Sequence, residues 1–258
     1  MSGNQRIDEL TENHILSTAT EDQNTTKETG MKHAACATCS YKASERICRR
    51  EDGKHPETCP TVNMPELIGQ SLREYMEKPE ICEFARQAAI QEGEGYDNRE
   101  LGYERVRTCK SRIEEIIGFA QKMGYKRLGM AFCIGLRNEA RIVEKIFVEN
   151  DFNMVSAVCK AGRISKDQIG VRADQQVDPA TVETMCNPIL QALILNQEKT
   201  DFNVLLGLCV GHDSLFFKYA EAPCTVLAVK DRLLGHNPLA AVYNFDSYYR
   251  CLKKASAQ

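Results

Sequence analysis

The chain has 258 residues, with 33 Lys and Arg against 36 Asp and Glu, a formal charge of −3 and a pI near 6.0. That balance gives no global pull toward nucleic acid or an anionic membrane surface, both of which select for a basic patch, and the length suits one or two domains with a proper core. Neither a signal-peptide-like apolar core in the first 30 residues nor any bilayer-length run is present, so a cytoplasmic address is expected, where 12 cysteines serve metal ligation or redox chemistry rather than structural disulfides.

Residues 1–30 hold six acids, two bases and no aromatic residue; so little apolar surface cannot offset chain entropy, and a disordered tail is expected. Residues 31–65 are dense in cysteine, charge and turn formers but poor in large aliphatics. A segment of that composition seldom folds without a metal, and it reads as a cysteine-rich knuckle.

A helical connector is expected over 66–124. Leu67, Ile68, Leu72, Tyr75 and Met76, then Ile81, Phe84, Ala85 and Ala88 after Pro79, give the spacing of two short helices. Asp97 followed by Glu100 makes a capping-box pattern ahead of a third, whose face is Val106, Ile113, Ile116, Ile117, Ala120 and Met123 and whose end is Gly124.

From residue 125 to 258 the pattern alternates. RLGMAFCI, a helix from about Arg137 to Asn150, NMVSAVC, a loop, helices around Pro179 to Asn196, NVLLGLC, a helix from about Asp213, and TVLAVK follow in turn. Short apolar runs separated by helices predict an α/β fold, a parallel sheet of four or more strands with crossover helices.

Two sets of four cysteines stand out. The first is Cys36-x2-Cys39-x8-Cys48-x10-Cys59. Its CxxC pair sets two thiolates close enough for one ion, and two more on loops can complete a four-sulfur site for zinc or an iron–sulfur cluster. His55 is a candidate replacement ligand. A thioredoxin-like redox pair fits less well, because that motif opens a helix after a strand whereas Cys36 follows the tail.

The second set emerges once the strands are drawn. Cys133, Cys159 and Cys209 each end a strand run, so in a parallel sheet their thiols would share one edge, where open α/β sheets keep their chemistry. Cys186 precedes Asn187 and Pro188, the expected cap and first position of a helix, whose dipole favours a thiolate. Any one of these cysteines alone would read as a small apolar filler; four at matching positions read as a second thiolate-rich site, as metal ligands or as reactive thiols. Arg137, Lys160, Arg163, Lys230, Asp231, Arg232 and His236 lie near the same strand ends, with His212 at a helix start. Lys160, Arg163, His212, Lys230 and Arg232 are therefore candidates for balancing a cluster's charge or binding a small anionic ligand. Cys82, Cys109, Cys224 and Cys251 lack the pattern and are expected on helix faces or at strand starts. No phosphate loop, GxGxxG or GxSxG occurs.

The runs CATCSYKASERIC, AFCIGLRNEARIVEKIF, CNPILQALILN, GLCVGHDSLFFKY and VKDRLLGHNPLAAVY resemble the uncharacterised cysteine-rich metal-binding proteins of anaerobic bacteria and archaea, domain-of-unknown-function family eighteen-forty-seven. The resemblance runs from about Cys36 to Tyr243. It implies metal binding and no established reaction. The expectation is thus a metal-binding protein carrying zinc or an iron–sulfur cluster at the N-terminal cysteines and a second thiolate-rich site at the sheet edge, with a redox or electron-transfer role and a redox partner protein. The alternatives are a zinc-stabilised module that binds a small anion, and a thiol-dependent transferase using Cys209 with His212.

Overall fold

A segment as poor in aliphatics as 31–65 has little to bury, and in the computed structural model none of the described residues from 33 to 73 is buried. The structure describes residues 33–253, so the expected disordered tail lies outside the described residues. The chain divides into two units, one up to Arg73 and one from Glu74 onward.

In the first unit, 3-10 turns at Cys36–Thr38 and Ala43–Glu45 lead to an isolated bridge between Arg46 and Lys54. Ile47 N–H donates to Lys54 O at 3.0 Å and Lys54 N–H to Glu45 O at 2.7 Å, closing the loop that carries Cys48. Gly53 is obligatory there: a Cβ would stand 2.3 Å from the Arg46 carbonyl carbon, which is backbone and cannot yield. Helix α1 (Pro60–Asn63) starts directly after Cys59, with proline at its first position. In helix α2 (Pro65–Glu77), within which the division falls, Leu67, Ile68, Leu72, Tyr75 and Met76 remain exposed.

The second unit opens with α3 (Pro79–Glu94), β1 (Tyr96–Asp97), β2 (Arg107–Thr108) and α4 (Arg112–Lys122). The capping box expected at Asp97 does not form. Asp97 pairs with Arg107 in a short antiparallel ladder, Asn98 and Gly102 take φ of 62° and 90°, and the chain turns through two 3-10 segments instead. The box belongs to Ser111 and Glu114, whose Oε2 accepts from Ser111 N–H at 2.7 Å and from its Oγ at 2.6 Å. Helix α4 therefore starts five residues after Arg107, and Val106 is not on its face.

The remaining elements are β3 (Arg127–Phe132), α5 (Arg137–Glu149), β4 (Asn153–Val158), α6 (Pro188–Gln197), β5 (Phe202–Leu206), α7 (His212–Tyr219), β6 (Cys224–Ala228) and α8 (Leu239–Tyr243). The four long strands form one parallel sheet in the order β4-β3-β5-β6, which is the expected α/β class. Helices around Pro179 are absent. There the Asp178 carboxylate accepts from Ala180 N–H and Thr181 Oγ, while Lys166 and Met185 N–H groups bond Glu183 O and Ile164 O, so the backbone pairs across the loop instead of coiling. Among the described residues no helix is long and apolar enough to cross a membrane.

Period-two alternation sorts the strand side chains onto two faces. Leu128 and Met130 of β3 and Phe202, Val204 and Leu206 of β5 pack with Ile116, Phe119 and Ala120 of α4 and Ala140, Val143 and Phe147 of α5. Ala131 and Leu205 face the other way, onto Ala192 and Leu195 of α6 and Phe216 of α7. The helices that follow the neighbouring strands β3 and β5 thus lie on opposite faces. That arrangement places the topological switch point at the carboxyl ends of β3 and β5, the position where open α/β sheets bind ligands.

Candidate functional site

Cysteine is the residue that marks the switch point. Cys133 directly follows β3 and Cys159 directly follows β4, and both extend the ladder: Cys133 N–H donates to Leu206 O at 3.1 Å and Cys159 N–H to Phe132 O at 2.9 Å. Side chains at these positions cannot leave the edge. They are 8% and 3% exposed. Cys186 arrives from the loop before α6, because Asn187 N–H donates to Cys159 O at 2.7 Å while the Asn187 side chain caps the helix by accepting from Leu190 N–H at 3.0 Å. The sequence reading of Asn187 and Pro188 as cap and first position holds.

Gln191 fastens this arrangement. Fully buried on α6, its Nε2 donates to Ala157 O at 2.6 Å and to Phe132 O at 3.2 Å, tying the helix to the last residues of β4 and β3. Nothing in its spacing distinguishes it from a polar residue on a solvated helix face, so no local signal marks it.

The thiols form a row. The Cys159 thiol lies between Cys133 and Cys186 and hydrogen-bonds to both, while Cys133 and Cys186 repel each other by charge across it. Ile134 N–H also donates to Cys159 Sγ at 3.3 Å. The Cys159 hydrogen bond is the main cause holding the Cys133 thiol down at about 5, helped by Gly135 N–H and the Lys230 ammonium. Its interaction with Cys159 is likewise the main cause lowering Cys186 to about 6, helped by Lys160 and His212. Cys159 itself is pushed up, chiefly by the neighbouring Cys133 and Cys186 sulfurs and then by burial. Cys209 stands apart from the row. Gly207, at φ 69°, turns the chain after β5, so Cys209 comes three residues past the strand, under Arg232, whose Nη2 donates to its sulfur at 3.1 Å.

Three of the five expected anion-binding residues are thus engaged with sulfur or backbone. Lys230 serves Cys133, Arg232 serves Cys209, and Lys160 Nζ donates to Thr184 O while lying near Cys186. Arg163 is exposed in a left-handed turn at φ 51°, and Arg137 is exposed at the start of α5. His212 begins α7, its N–H on Cys209 O at 3.0 Å. Asp231 and His236 close a local loop: Asp231 N–H donates to His236 Nδ1 at 3.1 Å and the Asp231 carboxylate accepts from Leu233 and Leu234 N–H.

Because both flanking thiols are depressed below the ordinary 9.0, their ionised forms stabilise the folded edge fully above that value, and the contribution fades as pH falls through about 6 and then 5. Cys159, shifted up, contributes below the ordinary value and loses that contribution as pH rises past its own. Replacing Cys159 by Ala removes the leading cause of both depressions. Thiolate ultraviolet absorbance, which should show two groups ionising near 5 and 6 in the parent protein, should then move both midpoints toward the ordinary thiol range; unmoved midpoints would contradict the row.

In the first unit, Cys36, Cys39, Cys48 and Cys59 line one cavity of about 50 Å³ together with Arg46 and Lys54. Arg46 Nε donates to Tyr41 O at 2.8 Å and Nη2 to Cys39 O at 3.4 Å, fixing a cation beside the thiols. His55 is exposed, its Nδ1 3.3 Å from Pro56 O, and does not line this cavity. Among the described residues no group of three or more Cys, His, Asp or Glu side chains is set to hold a metal ion as it stands. The four N-terminal thiols share a cavity without converging on one point.

Of the remaining cysteines, Cys82 is on α3, Cys109 follows β2, Cys224 begins β6 and Cys251 lies in a 3-10 turn. A larger cavity of about 390 Å³ sits at the amino ends of β5 and β6, lined by Phe84, Gln91, Arg112, Phe119, Phe202 and Cys224 among others, away from the cysteine-bearing edge.

Comparison with known proteins adds kinship without chemistry. No solved structure matches the chain. An uncharacterized protein of Methanocaldococcus jannaschii is 50% identical over 145 residues, 56% of this chain and 71% of that protein. A family profile described as a protein of unknown function (DUF1847) matches residues 59–227, a span that holds all four sheet-edge cysteines and, of the N-terminal set, Cys59; the chain belongs to that family.

Proposed function

We propose that the protein is a cytoplasmic metal-binding protein in which Cys36, Cys39, Cys48 and Cys59 hold one metal centre and the sheet edge is a separate, thiolate-rich site with a redox role. The observation that carries the first part is that four thiols line one cavity in a unit where none of the described residues is buried. A unit without a core needs another source of folding energy, and metal–thiolate bonds are the source that four cysteines supply.

The cavity of about 50 Å³ has room for one ion inside a sulfur tetrahedron, which favours zinc, with an iron–sulfur cluster as the alternative. The ion would crosslink the 3-10 turn, the Cys48 loop and the start of α1. Arg46 and Lys54 would offset the net negative charge of a four-thiolate centre. At the sheet edge, the cations already paired with Cys133, Cys186 and Cys209 support thiolate chemistry over capture of a small free anion.

Metal and acid-labile sulfide analysis of protein purified without oxygen tests the reading. One zinc per chain and no colour is the expected result; brown protein with iron and sulfide assigns the cluster instead. Cys36→Ser or Cys48→Ser should abolish the bound metal and Cys209→Ser should leave it. A metal-free native protein with a folded first unit would overturn the proposal.

A further inference from the structure

We propose that the cavity at the amino ends of β5 and β6 binds a small uncharged aromatic molecule bearing a carboxamide, whose carbonyl meets Gln91 and whose N–H meets Glu115. This site is separate from both cysteine sets and does not rest on the metal or redox reading.

The cavity follows from how the helices that precede the sheet are laid. α3 and α4 approach closely at Gly118, where a Cβ would stand 2.6 Å from Gln91 Oε1, and residues of both helices face the first residues of β5 and β6 across a space of about 390 Å³. That volume falls within the range of about 300–1,000 Å³ common to small-molecule sites. Phe84, Phe119 and Phe202 line it, with Phe119 edge-on to Phe84 at 5.0 Å between ring centroids and tilted to Phe202 at 5.6 Å. Rings in those attitudes accept a further ring by stacking or edge contact.

The polar lining sets the rest of the ligand. Gln91 is 6% exposed, and its Nε2 is buried with no hydrogen-bond partner in the protein. Its Oε1 accepts from Lys122 Nζ at 2.8 Å, so the amide keeps its nitrogen, not its oxygen, for another group. An unpaired buried donor is costly, and a carbonyl oxygen seated beside Gln91 would remove that cost. Glu115 lines the same cavity, and its ion pair with Arg112 is a long one at 3.9 Å, which leaves its carboxylate able to accept from a ligand N–H. Arg112 is directed elsewhere, its Nη2 donating to Thr225 Oγ1 at 2.8 Å and its Nε to Val226 O at 3.3 Å. With Glu92 also on the lining, two carboxylates stand against that one guanidinium, a balance that disfavours an anion.

NMR titrations of the full-length protein with benzamide, toluene and benzoate at millimolar concentration test the site. Benzamide should shift the Gln91 side-chain amide and the backbone amides of Ile116, Phe119, Phe202 and Thr225. It should bind about tenfold more tightly than toluene, the surplus expected from added hydrogen bonds, and more tightly than benzoate. Gln91→Met, which leaves Lys122 its Glu94 partner at 2.6 Å, should erase most of the preference for benzamide over toluene. Four results overturn the proposal: no shifts around the cavity, toluene bound as tightly as benzamide, benzoate bound more tightly than benzamide, or a folded Gln91→Met that keeps the full preference. The second would make the cavity an apolar void and the third an anion site at Arg112. The parental titrations are decisive by themselves, so a variant that fails to fold leaves the test intact.

Discussion

Stripping the proposed metal is expected to unfold the first unit and leave the second intact. Structural zinc in small cysteine-rich modules contributes on the order of 10 kcal/mol or more of apparent folding free energy, and residues 33–73 have no buried side chain to replace it. Their ion pairs are exposed, among them Lys54 with Glu45 at 2.9 Å and Arg50 with Asp52 at 2.6 Å. Exposed pairs of this kind contribute little. Hydrogen exchange with and without a strong chelator should show protection lost around Cys39, Cys48 and Cys59 and unchanged in β3, β4, β5 and β6. Equal protection in both conditions would mean that metal does not hold this unit together.

Replacing Gly129 by Ala should be the most damaging single-methyl change in the sheet. Gly129 lies in β3 between two neighbours, paired with Val155 of β4 and Asn203 of β5. An added Cβ would stand 2.1 Å from Asn203 Oδ1 and 2.8 Å from Leu195 Cδ1. Neither group has room to move: Asn203 and Leu195 are fully buried, and Asn203 Oδ1 accepts from Thr200 Oγ at 2.8 Å. Overpacking together with the loss of that buried hydrogen bond should cost about 3 kcal/mol, which for a unit of this size lowers the melting temperature by roughly 6–12 °C. Thermal unfolding of Gly129→Ala beside Gly69→Ala, whose Cβ would meet only the Arg73 guanidinium at 3.5 Å, separates crowding from the generic effect of removing a glycine. A change below about 1 kcal/mol would mean that Asn203 swings aside at little cost.

Much of the sheet was legible in the chain because its signals are local. Aliphatic runs of the right length, ended by helical periodicity, gave four parallel strands within one to three residues of their ends, and Asn187-Pro188 marked the start of α6. Two elements misled for an equally local reason. Asp97 and Glu100 have capping-box spacing, but the positive φ of Asn98 and Gly102 stops any α-helix there, and the Ser111–Glu114 box starts it instead. The stretch after Pro179 has no such break, and it stays irregular because its backbone groups find partners in residues 164–166.

By itself the sequence determined which cysteines reach the carboxyl edge, since each position is counted from the end of its own strand or helix. It could not determine which sulfur touches which. Cys133 and Cys159 are adjacent because β3 and β4 pair in register, Cys186 joins them because α6 crosses back over the ends of both strands, and Cys209 is set apart by the turn at Gly207. Lys230 meets Cys133 only because β6 follows β5 in the sheet, where Lys230 N–H bonds Leu208 O. These contacts depend on strand order, crossover side and one left-handed glycine, which are properties of the packed chain, whereas periodicity and caps are written within a few residues of one another.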